Sequence, residues 1–426
     1  MTLTRKWMLL SCFVIIPVVL LLALYFQILQ KPNYPAWPIV VMPSPNARDT
    51  FSRAEALIKD PDTVEKATTK LNSNPPAEII AGPPTGLHVF TLAEKDKLVR
   101  ENLPAIALTR DGLTQKYMNP PSSPKSLILS NLDRSKAPAL ARLLFLQAQD
   151  LEAHSDWNAA MTSTLDGFQF GNKLEWSGPW TAMFLGIRCE AIARKSATDI
   201  VGHLTSAQAT AAAGRLAKID ADEVPFSQVL VEEKFDQCAE GQFTFENMDW
   251  RNLYEPWGYM VSPRHVYDGY SGYMDQEIVN AKLSWPAQMN ATNSKTPTDL
   301  IARTWARDDL KDGVKLYANL TYNRMLEIAL ALQAYKLDRH TYPVSLSQLT
   351  PTYLPAVPSD PFSNNQPFKY RLNGSTYILY SVGPDGVDNG GTPINSYADS
   401  PTLPMDRRYQ VFDECQTGDV VYGVNQ

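Results

Sequence analysis

The chain has 426 residues, 44% hydrophobic and 20% charged, which suits two or three folded domains with ordinary cores. Its net charge of −6 provides no basic surface to displace counterions, so nucleic acid is excluded as an expected partner.

From Trp7 to Leu29 there are 23 residues without a charge, enough helix to cross a bilayer core of roughly 30 Å. Arg5 and Lys6 precede this run. Positive charge stays on the cytoplasmic side, so the expectation is a single-pass membrane anchor with the bulk of the chain extracytoplasmic, facing the periplasm. A cleaved signal peptide is the competing reading, but no Ala-x-Ala-like site follows the apolar run. Next, Pro32, Pro35, Pro38, Pro43 and Pro45 predict an extended, stiff stalk, with the linker continuing to residue 91. Within it a short helix is expected around Arg53 to Ile58.

A helical domain is expected over residues 92–240. Apolar residues at helical spacing predict helices over Leu92–Leu113, Pro138–Ala153, Trp157–Lys173, Pro179–Lys195, Ser206–Lys218 and Phe226–Ala239. His154-Ser155-Asp156 breaks the second from the third, with Asp156 placed as an N-cap, so these two form an antiparallel pair. The stretch SDWNAAMTSTLDGFQFG resembles the second helix of a tetratricopeptide-like hairpin, without a repeat at the roughly 34-residue period of that family. Packing helices or a peptide-binding groove are the two readings.

Residues 241–307 read as an irregular, aromatic-rich segment. Trp250, Tyr254, Trp257, Tyr259, Tyr267, Tyr270, Tyr273 and Trp285 alternate with Asp249, Glu255, Asp268, Asp275 and Glu277. Such aromatics pack a segment against its neighbour, or else stack on sugars beside a carboxylate pair of the kind glycoside hydrolysis requires. Envelope glycan binding or hydrolysis through residues 241–297 is therefore the alternative function. Other chemistry lacks its motifs: the histidines show no HExxH, and Gly269-Tyr270-Ser271-Gly272-Tyr273 lacks the last glycine of a nucleophile elbow. No catalytic residue is assigned. Cys12 falls in the apolar run, and Cys189 and Cys238 are candidates for a disulfide between two helices.

The last expected domain covers residues 308–426. Val314, Tyr317, Thr321, Met325, Ile328, Leu332 and Tyr335 fall three or four apart, predicting one long helix with a single apolar stripe and charged residues elsewhere around it. It ends by Thr341, because Pro343 drives Tyr342 out of helical conformation. In FKYRLNGSTYILYSVGPDGVDNGG, Asn373-Gly374 predicts a type I′ hairpin, with Tyr370 opposite Tyr377 and Phe368 opposite Leu379. Lys369, Arg371 and Thr376 line the other face. An acidic, glycine-rich loop follows, and the chain closes on an extension with a strand expected over Asp419–Val424.

This ordered series, with Ala334-Tyr335-Lys336-Leu337-Asp338, Tyr342-Pro343, Tyr353-Leu354-Pro355, Asp360-Pro361-Phe362 and Gly383-Pro384-Asp385-Gly386, resembles the C-terminal domain of the major pseudopilins of type II secretion systems over roughly residues 314–391. The resemblance implies an α+β unit, a long helix followed by a small antiparallel sheet, and a loop that binds Ca²⁺. Asp385 matches the family's motif; Asp388 and Asn389, with backbone carbonyls near Leu379 and Val382, complete the implied oxygen set. The family's basic leader, cleavage glycine and early glutamate are absent from MTLTRKWMLLSCFVIIPVVL, so entry into a filament is not expected. The function expected is therefore a membrane-anchored binding or scaffold protein rather than an enzyme, with other envelope or secretion proteins as partners.

Overall fold

Capping residues set where the helices of this chain begin. In the computed structural model, which describes residues 15–19, 22, 32, 34–68, 90–123, 136–247, 263–291, 296–298, 300–306, 309–394 and 416–424, the architecture is α+β. Asn46 opens α1 (Ala47–Ala56) by accepting from Arg48 N at 3.1 Å and donates its own Nδ2 to Met118 O. That helix starts at Ala47 rather than Arg53, and α2 (Pro61–Thr68) follows it. The single helix expected over 92–113 is two, α3 (Leu92–Glu101) and α4 (Leu103–Leu113). Pro104 has no N–H to offer the Arg100 carbonyl and its ring crowds that carbonyl, so a continuous helix breaks just before it, and Asn102 fills the break by accepting from Lys59 N at 2.7 Å and donating to Leu98 O.

The helical body continues as expected through α5 (Ala137–Ala153), α6 (Trp157–Glu175), α7 (Trp180–Val201), α8 (Ser206–Ala221) and α9 (Phe226–Asn247). Asp156 caps α6 through Ala159 N at 3.1 Å, and α5 packs on α6. Thr205 and Gln208 form a reciprocal capping box on α8.

The aromatic segment corrects the expectation of irregular structure: its described part is helical, as α10 (Pro263–Asn280) and α11 (Trp285–Asn290), before α12 (Leu300–Trp305). Tyr267, Tyr270 and Met274 fall on one face of α10 and are each 1% exposed. The Gly269–Tyr273 stretch therefore lies inside a helix. Trp250, Tyr254, Trp257, Tyr259, Asp249 and Glu255 lie outside the described residues.

The long helix α13 (Asp309–Arg339) is present, but its single stripe is not. None of residues 312–334 is exposed, because α7, α8 and the C-terminal sheet pack on different sides of it. Its polar residues point into that packing, including Asn319, Asn323 and Glu327, all under 7% exposed. Strands β1 (Lys369–Asn373), β2 (Thr376–Ser381) and β3 (Val420–Val421) form one antiparallel sheet in the order β1-β2-β3. The expected terminal strand is thus shorter, and it completes the sheet. The largest core cluster runs from Ala160 through Leu216, Trp285 and α13 to Val420, so helical body and sheet share one interior.

Two further expectations change. The described part of the proline-rich run forms neither helix nor strand, and it is no free stalk: Tyr34 packs edge-on against Tyr267 at 4.9 Å and Trp37 lies 6.2 Å from Phe235. Rings in a proline-rich strap have apolar area to bury, and α9 and α10 offer it. Cys189 and Cys238 are free thiols in separate core clusters rather than a disulfide. The Trp7–Leu29 run, with Cys12, lies largely outside the described residues; residues 15–19 and 22 are helical and exposed. Among the described residues, no helix is long and apolar enough to cross a membrane.

Candidate functional site

The hairpin turn is shifted by one residue from the expected one. Asn373 pairs with Thr376, leaving Gly374 and Ser375 at its tip. Gly374 alone takes positive φ, 61°, as the first central position of a type II′ turn requires. Tyr370 therefore faces Leu379 and Leu372 faces Tyr377, a slip of two residues from the expected partners. A slip of two keeps every side chain on its face. Accordingly Tyr370 and Tyr377 remain diagonal neighbours at 5.9 Å, and Lys369 and Arg371 line the opposite side.

Asp360 fastens the connecting loop to this sheet. It is 2% exposed, yet its carboxylate accepts from Phe362 N (3.0 Å), Ser381 Oγ (2.7 Å) and Val382 N (3.0 Å). Burial outweighs these three bonds and lifts its carboxyl above the ordinary range. Behind it, Trp285 packs edge-on against Phe362 at 5.5 Å and donates Nε1 to Pro384 O at 2.7 Å. The aromatic segment is thereby pinned to the first turn of the acidic loop.

The loop folds around short local bonds. Asp385 accepts from Val387 N at 3.0 Å and, through its other oxygen, from Gly418 N at 3.3 Å. Asp388 accepts from Gly390 N and from the Tyr380 hydroxyl, both at 3.0 Å, and pairs with Lys369 Nζ at 3.1 Å. The Gly390 amide, then Lys369, hold its carboxyl below the usual range. Asn389 donates its side chain to Val387 O. Leu379 O accepts from Tyr422 N in the ladder to β3, and Val382 is tied to Asp360 through its N–H. Among the implied ligands, then, Asp385, Asp388 and Asn389 share one loop, while Leu379 and Val382 sit at its root inside the sheet.

Sequence reasoning missed Asp419. It is fully buried and accepts from Asn389 N at 3.2 Å and Gly391 N at 2.6 Å, bringing a third carboxylate to the loop. Burial, with Asp388 nearby, pushes its carboxyl up. Gly383 makes room for this return: with φ of 73° it passes so close to Gly418 that a Cβ would lie 2.3 Å from the Gly418 carbonyl. The signal available was Gly418-Asp419-Val420-Val421, an aspartate set between a glycine and a β-branched pair. The three carboxylates surround the loop without converging: among the described residues no three His, Cys, Asp or Glu side chains meet as a metal-binding group.

No family profile, curated protein or solved structure matches the chain.

Proposed function

We propose that the chain is a membrane-anchored, extracytoplasmic scaffold whose C-terminal unit is a pseudopilin-like domain, acting by binding other envelope or type II secretion-like proteins. The observation that favours binding over glycan chemistry is the burial of Tyr267, Tyr270 and Trp285, each 1% exposed and therefore without a free face for a sugar ring. Packing of Trp285 on Phe362 and Tyr317 gives those rings a structural use.

On this reading the acidic loop holds Ca²⁺. The donor chemistry fits a hard cation, which takes six to eight oxygens: Asp385, Asp388, the Asn389 side chain and the buried Asp419 lie on or against one glycine-rich turn. A cation would relieve the crowding between Asp388 and Asp419. Titrating Ca²⁺ into the detergent-solubilised chain is expected to raise its melting temperature by several degrees once the ion is about 100-fold above its dissociation constant. Asp385→Ala should lose that rise. No shift at millimolar Ca²⁺ would leave the loop a plain turn.

The anchor reading rests on the uncharged Trp7–Leu29 run behind Arg5 and Lys6. Protease added to spheroplasts is expected to digest the chain beyond Lys31. Protection of α13 and the sheet while the membrane stays intact would reverse the orientation.

A further inference from the structure

Where α13 crosses the helical body, buried carboxylates outnumber buried cations. Glu190 on α7 accepts at Oε2 from the Asn319 and Asn323 amides, both at 2.7 Å. The carbonyl ends of the same asparagines accept from Arg194 Nη2 at 2.5 and 2.7 Å, so α7 and α13 are joined by a closed polar ring. Arg194 is held between the rings of Phe168 and Tyr322. Beside it, Arg324 Nε donates to both oxygens of Asp220 on α8 at 3.0 and 3.1 Å, and its Nη1 reaches Ser359 O. Those two guanidinium groups balance Glu190 and Asp220.

Three more carboxyl groups face the same layer. Glu175 on α6 is 2% exposed, and its Oε1 has no hydrogen-bond partner. Its side chain lies across Gly186 while that of Glu190 lies across Gly171, so each helix lays a glutamate over the other's glycine. Half-buried Glu223, just after α8, lies near Asp220, Arg324, Glu190 and the Tyr317 hydroxyl. Glu327 on α13 is 3% exposed and faces Asp220 and Arg324. Cys189 also neighbours Glu175 and Glu190, and burial keeps its thiol protonated. Arg324 is the cation near Glu223 and Glu327, but its Nε already serves both oxygens of Asp220, so one guanidinium is shared among three carboxyl groups; Glu175 has carboxyl neighbours, Glu190 and Glu223. A buried carboxylate without a counter-charge is disfavoured more than a buried carboxylic acid.

We propose that this layer is a proton store, in which Glu175, Glu223 and Glu327 hold protons in place of counter-ions and so make the seating of α13 on the helical body depend on pH. Burial acts the same way on each of the three, raising its carboxyl above the ordinary range; for Glu327 it reaches about 8. The sign follows from linkage. The unfolded chain gives up these protons near the ordinary glutamate value, whereas the folded chain keeps them, so stability is full at acid pH and drains away as pH rises toward 8.

The test is the melting temperature of the full chain between pH 5 and pH 9, together with hydrogen exchange of α13 amides. The wild type is expected to lose about 10 °C over that range, with α13 exchanging faster at the alkaline end. Glu175→Gln with Glu327→Gln should flatten at least half of that slope, since glutamine keeps the shape and needs no proton. Groups that the two substitutions leave untouched are the same in both proteins and cancel in the comparison. If the double variant does not fold, infrared spectra of the wild type decide instead: a protonated-carboxyl carbonyl band at pH 7 that vanishes by pH 9 supports the store. A flat wild-type profile, an unchanged slope in the variant, or the absence of that band at pH 7 would overturn it.

Discussion

Asp360→Ala is expected to cost the protein about 3–5 kcal/mol, more than any other single change in the C-terminal unit. The substitution leaves the buried Phe362 N, Val382 N and Ser381 Oγ donors facing the gap, and each orphaned buried donor costs roughly 1–3 kcal/mol before the loop relaxes. The loss is expected to spread, because Phe362 packs on Trp285, and Trp285 carries the bond to Pro384. Denaturant titration followed by tryptophan fluorescence measures it. An unchanged midpoint in Asp360→Ala would mean that the connecting loop is held by something other than this carboxylate. Asp360→Asn keeps one acceptor oxygen and should recover part of the loss.

The second large effect lies in the polar ring between α7 and α13. Arg194→Met keeps most of the stem between Phe168 and Tyr322 but removes both bonds to the asparagines. Breaking a buried charged network from one side leaves its partners unpaired, at about 3–5 kcal/mol. Glu190→Gln alone is expected to cost less, because its amide oxygen can still accept from both asparagines. In the double variant the losses should fall short of their sum by about 1–3 kcal/mol, the signature of groups acting through shared partners. Simple additivity would show two independent contacts rather than a ring.

How far these features could be read beforehand depended on whether their cause was local. Helix starts at Asp156 and Thr205 and the existence of the hairpin follow from a few adjacent residues, and all three are in the structure. The hairpin partners were misplaced because Gly374 can serve as the second central residue of one turn type or the first of another, and only the packing of the sheet decides. The apolar stripe of α13, with charged residues elsewhere around it, suggested an exposed face, yet Asn319, Asn323 and Glu327 are buried. What buries them is Glu190, Arg194 and Arg324 together, and 125 residues separate Arg194 from Asn319. Asp419 escaped for the same reason, reaching Gly391 across 28 residues that carry no periodic pattern of their own. The helical reading of α10 was within reach: Tyr267, Tyr270 and Met274 keep a helical spacing, though the dense aromatics and carboxylates around them read as an irregular packing segment instead.

The shared interior also sets a timetable for synthesis. Ala160 belongs to the same cluster as Val420, so about 260 residues must follow the first before the last can join it. Local helix pairs such as α5 with α6 can form while the chain is still emerging, but α8 waits for α13, and the sheet waits for β3. Until then the faces of α7 and α8 that receive α13 stand open, with Arg194 and Glu190 in water. A nascent chain of this design passes through an unfinished helical tray, which ties its fate to whatever shields that face before β3 arrives.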